Sequence, residues 1–377
     1  MVRLLNFFFL LNSFFTVSAE ARIYDVYRAD YMKGPFCAAI GGACASDPDF
    51  DNSFFQNPAS LEAGRENWDY DYDYNKSGNP EPGSNKNNTL EESSFMAGAL
   101  YAGDTWGYGF SVSVMNTAVH TSAVLIDEQD RERSIVIDER ARTYMFSVPI
   151  GYKVNSKLSL GASISTLFQH HELDVDNSIG TTSKPKNEIP FPTLNFGAIY
   201  QDDPSVRFGV WAKLPNIYSY SLGLQLQSFG NTINYQEDIV LYFPLMVNMG
   251  ISYIPFKDER TLFFDLDIIG RSYDSFLQSF DALSSSLKDK KLIEKGRDIV
   301  VEPRVGWRSA WTRGSSGTYM LGAYYENSRW QNESGRLHGT MGLAYKWTVN
   351  FFIFETIELM GGLDIAPNYQ QAFVTYR

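Results

Sequence analysis

From Trp68 onward the chain alternates. Residues 68–74 read WDYDYDY, with Trp68, Tyr70, Tyr72 and Tyr74 on one face and Asp69, Asp71 and Asp73 on the other. That is the period of a strand with one apolar and one wet face. The rhythm recurs at residues 95–102, 107–117, 141–154, 158–173, 193–200, 206–213, 241–254, 261–270, 299–310, 318–325, 337–347, 351–363 and 371–377. Together these predict about fourteen strands of roughly ten residues. Their connections alternate: short turns (103–105, 155–157, 201–204, 255–260, 312–317) take turns with long polar stretches (75–94, 118–139, 174–190, 215–238, 271–296). Soluble β-sandwiches also have many short strands, but they give no reason for this order. An outer-membrane barrel does, because its turns are short on the periplasmic side and long outside. The predicted fold is therefore all-β, a transmembrane antiparallel β-barrel of about 14 strands. An even count leaves both termini in the periplasm.

The stretch before the alternation behaves differently. Residues 34–61, GPFCAAIGGACASDPDFDNSFFQNPASL, carry neither the helical nor the strand period, yet are too apolar for a solvated tail. They predict an N-terminal plug, or hatch, folded inside the barrel, so that residues 20–65 form the plug and 66–377 the barrel. Within the long loops, Phe276, Phe280, Leu283 and Leu287 mark one amphipathic helical stripe, expected to pack on neighbouring loops.

Composition sharpens this picture. Of 377 residues, 15% are aromatic, a density that suits strands and membrane-interface girdles. The mean hydropathy is −0.25. After the N-terminus no run approaches the ~18 apolar residues of a spanning helix, so a helical membrane protein is excluded while a barrel is not. Residues 1–19 read as a signal peptide: Arg3, an apolar core, then Val17-Ser18-Ala19, with cleavage after Ala19 or, second, after Ala21. The exported chain is placed in the outer membrane of a Gram-negative-type bacterium, with outer-membrane lipid around it.

A net charge of −12 argues against nucleic acid as a partner. The only cysteines, Cys37 and Cys44, both lie in the plug. They read either as a short disulfide stiffening a segment with little core or as two buried thiols. No His lies near them, so no metal is expected, and no cofactor is implied. His170 and His171 end one strand above Ser163 and Ser165, and His120 and His338 sit near strand ends facing loops. No Gly-x-Ser-x-Gly elbow singles out a nucleophile, and the chain is not read as an enzyme. Asp69, Asp71 and Asp73 form an acidic strip expected to face the lumen, since charge on the lipid face is costly. Two readings stay open: a clamp on plug cations such as Arg22, Arg28 and Lys33, helped by Arg142 or Lys153, or a wetted wall.

Three places resemble the FadL family of outer-membrane long-chain fatty-acid transporters. The first is residues 38–43, AAIGGA, leading through acidic residues to Asn57-Pro58-Ala59-Ser60-Leu61. The second is the hairpin 101–109, YAGDTWGYG, and the third Val206-Arg207-Phe208-Gly209 with Lys213-Leu214-Pro215, then Pro244 and residues 250–253, GISY. The resemblance implies a monomeric fourteen-stranded barrel blocked by the hatch. A hydrophobic small-molecule ligand would enter from outside, pass a site beside Asn57, Pro58 and Ala59, and leave laterally at a kinked third strand, here Gly107, Tyr108 and Gly109. Cys37 and Cys44 depart from the family pattern, Asp47-Pro48-Asp49 replaces paired aspartates, and the terminal aromatic for the barrel-assembly machinery stands one place early, at Tyr376. Relatives with this fold also carry aromatic hydrocarbons or shuttle secreted proteins, so a barrel scaffold for exported proteins is the alternative function.

Overall fold

A computed structural model describes residues 33–48, 56–62, 68–80, 89–126, 132–176, 181–183, 186–188, 191–228, 231–256, 260–271, 273–274, 297–311, 316–327, 335–351, 354–367 and 369–376. Nineteen strands among them join one sheet. They are β1 (Trp68–Pro80), β2 (Thr89–Ala102), β3 (Trp106–Ile126), β4 (Glu132–Lys153), β5 (Leu158–Asp176), β6 (Thr181–Ser183), β7 (Lys186–Glu188), β8 (Phe191–Asp203), β9 (Val206–Lys213) and β10 (Asn216–Ser228). They continue as β11 (Asn231–Phe243), β12 (Met246–Phe256), β13 (Arg260–Gly270), β14 (Tyr273–Asp274), β15 (Ile299–Ala310), β16 (Gly317–Glu326), β17 (Arg336–Phe351), β18 (Phe354–Ala366) and β19 (Tyr369–Tyr376).

Antiparallel pairing runs β1-β2-β3-β4-β5-β8-β9-β12-β13-β15-β16-β17-β18-β19 and closes when β19 pairs β1, Tyr376 opposite Tyr72. Closure leaves the ring without an open edge. β9 pairs β12 directly, Gly209 opposite Gly250. β10 and β11 stand off the ring as a hairpin whose edges take β6 and β7 on one side and β14 on the other.

Short turns close by local hydrogen bonds. Asn155 Oδ1 accepts from the N–H groups of Lys157 and Leu158 at 2.8 and 3.0 Å. Asp203 Oδ1 accepts from Ser205 N–H at 2.6 Å, and Gly103 N–H donates to Trp106 O at 3.0 Å. These are the side-chain-to-backbone bonds that favour Asn and Asp in turns.

Three of the polar stretches expected as loops are largely strand. Residues 75–80 pair with 89–94, 118–126 pair with 132–140, and 216–228 pair with 231–243. Backbone pairing needs no apolar face, so 75–80 and 118–126 continue their ladders without strict alternation, whereas 216–228 does alternate, Tyr218, Tyr220, Leu222, Leu224 and Leu226 against small or polar neighbours. The amphipathic stripe at Phe276–Leu287 lies outside the described residues, as do the signal peptide, Arg22 and Arg28.

The ring is apolar outside and polar within. On β15 the outward Ile299 is 63% exposed, with Val301 and Val305 beside it, while the inward Glu302 and Arg304 are each 5% exposed. The same inversion places Phe110, Phe146, Phe196, Met249, Leu343 and Ile365 on the exposed face. A continuous exposed apolar surface on this scale marks contact with something other than water. Exposed aromatics gather near the short turns: Trp106 beside Tyr152 with ring centroids 4.4 Å apart, then Tyr200, Tyr253, Trp311, Tyr345 and Trp347. Such rings mark a membrane–water interface.

Candidate functional site: the interior of the ring

Two buried N-terminal stretches, 33–48 and 56–62, lie against the inward face of the wall. The first opens with a single helical turn, α1 (Pro35–Ala39), whose proline sits where a free N–H would go unused. It ends at Gly41 and Gly42, with φ of 70° and 73°. Only glycine adopts this left-handed pair cheaply, and it lets Gly42 N–H return to Cys37 O at 2.8 Å. A disulfide joins Cys37 to Cys44 around that reversal. Phe36, Ala39, Ile40 and Ala43 pack on Phe263, Met320, Met360 and Phe373 of the wall. Thr340 Oγ1 donates to Ala39 O at 2.9 Å.

The second stretch is built on Asn57. Its Oδ1 accepts from Ala59 N–H at 3.0 Å and its backbone O from Ser60 N–H at 3.0 Å, which starts the 3-10 helix Pro58–Glu62. Pro58 at the first helical position has no N–H to leave unpaired. Asn57 Nδ2 donates to Ala45 O at 2.7 Å and to Ala198 O on β8 at 3.3 Å. One fully buried side chain thus ties both N-terminal stretches to the wall.

The wall makes room with glycine. Gly107, Gly151, Gly161 and Gly197 are directly paired across β3, β4, β5 and β8. A Cβ on Gly161 would overlap the Pro58–Ala59 peptide, and one on Gly107 would come within 3.2 Å of Leu61 Cβ.

The opposite wall is charged. Arg308 on β15 makes a bidentate pair with Asp47, Nη1 to Oδ2 at 2.9 Å and Nη2 to Oδ1 at 3.0 Å. Ala45 N–H donates to Asp265 Oδ2 at 2.7 Å. Arg304 reaches Asp267 at 2.5 Å, Glu302 at 2.6 Å and Gly41 O at 3.2 Å. Asn248 also bonds Asp267. Arg304 lies 4.6 Å over the Tyr324 ring, which stacks on His338 at 4.2 Å. The two His338 nitrogens face Asp364 at 2.9 Å and Glu326 at 3.0 Å, and Tyr324 O–H donates to Asp364 at 2.7 Å. Lys33 joins this side, 5.6 Å from the Tyr324 centroid. Its burial, and then the Arg304 charge, hold the ammonium down at about 8.

The structure brings some expected site residues together and separates others. Asn57 and Pro58 lie against Gly197, Pro58 and Ala59 against Gly161, and Gly107 against Leu61 of the same stretch. Gly109 lies under Leu100 of β2. Tyr108 points outward, between Trp106 and Phe110, so it does not line the interior; its odd–even position on the strand puts it on the apolar face. β3 runs through Gly107 and Gly109 as one strand, but its ladder to β4 skips Gly109–Phe110 opposite Val148–Pro149. Pro149 has no N–H to contribute there. Asp69, Asp71 and Asp73 occupy β1 opposite Leu100, Gly98 and Met96, the buried positions of β2; their side chains lie outside the described residues. Lys33 sits beside Arg304 and the acids Asp267 of β13 and Glu302 of β15. Arg142 bonds Asn116 at an exposed position. His338 faces the lumen rather than a loop, because its place in β17 is an inward one.

Asp265, Asp267, Glu302, Arg304 and Arg308 were not singled out from sequence, and Asp47 was named only within Asp47-Pro48-Asp49, in place of the paired aspartates, without its partner. The available signal was the run 263–267, FFDLD, and 300–304, VVEPR, where acids and an arginine occupy every second place of otherwise apolar strands.

No protein-family model matches the chain, and no curated protein matches it by sequence. Solved structures do match its fold. The toluene transporter TbuX of Ralstonia pickettii aligns at TM-score 0.63 and 14% identity, over 93% of this chain and 98% of its own. The monoaromatic hydrocarbon channel CymD aligns at 0.60 and 15% identity, over 91% and 95%. A Pseudomonas aeruginosa FadL homologue aligns at 0.60 and 12%, over 90% and 95%. The chain thus has a FadL-like fold, the one its motifs at 38–43, 57–61 and 101–109 resemble.

Proposed function

We propose that the protein is an outer-membrane transporter for hydrophobic small molecules, gated by an N-terminal hatch. In this reading the closed ring is a fourteen-stranded transmembrane wall, and residues 33–48 and 56–62 belong to the hatch. The protein is exported by the signal peptide at 1–19, is inserted by the barrel-assembly machinery, and works as a monomer without enzymatic chemistry. Asn57, Pro58 and Ala59 with Gly107 form the hatch side of the ligand path. The ladder break at Gly109–Phe110 is its lateral exit, with Tyr108 on the lipid side. Asp69, Asp71 and Asp73 line the lumen as a wetted strip. The hatch clamp lies instead on Arg308, Arg304 and Asp265.

The observation that carries this reading is the occupied interior of an inside-out ring. An open porin needs no buried segment fixed to both walls, whereas a transporter for poorly soluble compounds gains from a stopper beside a gap in the wall. The neighbours in fold name one ligand class for the same architecture, monoaromatic hydrocarbons, and the family resemblance of the motifs implies a second, long-chain fatty acids. Uptake of labelled toluene and labelled oleate by cells with and without the protein tests it. Faster uptake of at least one is expected, and no difference for either would leave the protein-handling scaffold as the better reading.

A further inference from the structure

Above the glycine row, the wall beside the ladder break is lined with hydroxyls. Gly98, Ser111, Ser147, Ser165 and Thr193 are paired in a row across β2, β3, β4, β5 and β8. Ser113 stands one inward position further toward the long loops and Thr143 two, opposite Met115, and Ser163 one position nearer the hatch. Ser111 and Ser113 are 1% exposed, Thr143 2% and Ser163 3%, and none of the four hydroxyls finds a hydrogen-bond partner among the described residues.

A buried hydroxyl without a partner is costly, and most such groups in proteins are paired. Apolar side chains of similar size, Ala or Val, would fit the same places without that cost. Four such groups on three adjoining strands point to a partner from outside the chain. Met96, Met115 and Met145 are buried between them, and thioethers make favourable contacts with aromatic rings. Outside the same break stand Tyr108, Phe110, Phe146 and Val148, all exposed and apolar-faced. Hydroxyls that donate and accept, set among thioethers, fit an aromatic ring carrying one hydroxyl better than a bare hydrocarbon.

We propose that this hydroxyl band is a subsite for phenol-class compounds, through which a hydroxylated monoaromatic passes between the hatch and the break in the β3–β4 ladder. The inference rests on the transport reading above and narrows its ligand. A site that bonds a ligand hydroxyl discriminates against the analogue lacking it, because the site's own polar groups are then left unpaired.

Toluene and p-cresol differ by one hydroxyl and provide the test. Initial uptake of each is measured in cells producing the wild-type chain, the triple variant Ser111→Ala/Ser113→Ala/Thr143→Val, or no protein, with heat-modifiable gel mobility verifying assembly. The wild type is expected to accelerate p-cresol more than toluene, and the variant to lose about tenfold of the p-cresol rate while toluene uptake holds or rises. If the assembled variant loses both compounds equally or neither, the subsite is overturned while transport stands. If the wild type accelerates neither compound nor oleate, the transport reading fails and the subsite with it. Should the triple variant not assemble, Thr143→Val alone is used; it keeps the side-chain shape, and an unchanged p-cresol-to-toluene ratio would equally overturn the proposal.

Discussion

The two halves of the inner wall hold the N-terminal segment by different physics. On β13 and β15 the hold is directional: Arg308 grips Asp47 with two bonds, Asp265 takes the Ala45 N–H and Arg304 takes Gly41 O. On β3, β4, β5 and β8 it is mainly steric, since Gly161 and Gly197 leave room for Asn57, Pro58 and Ala59, with one longer bond from Asn57 Nδ2 to Ala198 O; Gly306 on β15 makes similar room for Ile40. Directional bonds to a buried charge are costly to break but can be exchanged for other polar partners. A close-packed glycine contact has no such alternative, yet its release exposes little polar surface. The charged half is therefore suited to fixing the segment's position, and the glycine half to letting it slide. The ladder break and the hydroxyls of Ser111, Ser113, Thr143 and Ser163 lie on the glycine side.

The largest effect that separates the halves is expected from Arg308→Ala. Asp47, 1% exposed, would lose both Arg308 bonds to its buried carboxylate, a loss of about 3–5 kcal/mol for buried pairs. Hydrogen exchange at the Ala45 and Asp47 amides should accelerate by roughly two powers of ten or more, while Ala59 and Ser60 change less. Restoring protection in Asp47→Asn/Arg308→Met would show that the buried Asp47 charge, deprived of Arg308, causes the loss. On the other wall, Gly161→Val should push the Pro58–Ala59 peptide off at about 1–3 kcal/mol. It should loosen Ala59 and Ser60 before Ala45. Equal loosening of both stretches by either variant would mean that the halves do not act separately. The smallest effect is expected from Cys37→Ser/Cys44→Ser, about 2 kcal/mol for so short a loop. It should be confined to exchange at Gly42, whose N–H returns to Cys37 O.

What the sequence made legible follows the same division. Alternation marks every strand of the ring, because one lipid face forces apolar residues onto every second position. It is absent from 75–80 and not strict in 118–126, whereas 216–228 does alternate, Tyr218, Tyr220, Leu222, Leu224 and Leu226 against Ser219, Ser221, Gly223, Gln225 and Gln227, on a hairpin that stands off the ring. Asn57-Pro58-Ala59 is readable as a motif because its contacts begin locally, with Asn57 bonding Ala59 and Ser60. Arg308 and Asp47 are not, being 261 positions apart. Nor does spacing reveal that Asp267 stands directly opposite Glu302; the register of β13 against β15 decides it. The unpartnered hydroxyls read in sequence as an ordinary wet face, and only burial sets them apart.

The central claim is that residues 33–48 and 56–62 stopper the ring, held by the charged wall. Single-channel recording of the purified full chain in a planar bilayer tests it most directly, comparing wild type with Arg308→Ala. The account predicts a silent or rarely flickering wild type and a variant that opens to steady conductance. A wild type already carrying the same large, steady current as the variant would contradict it.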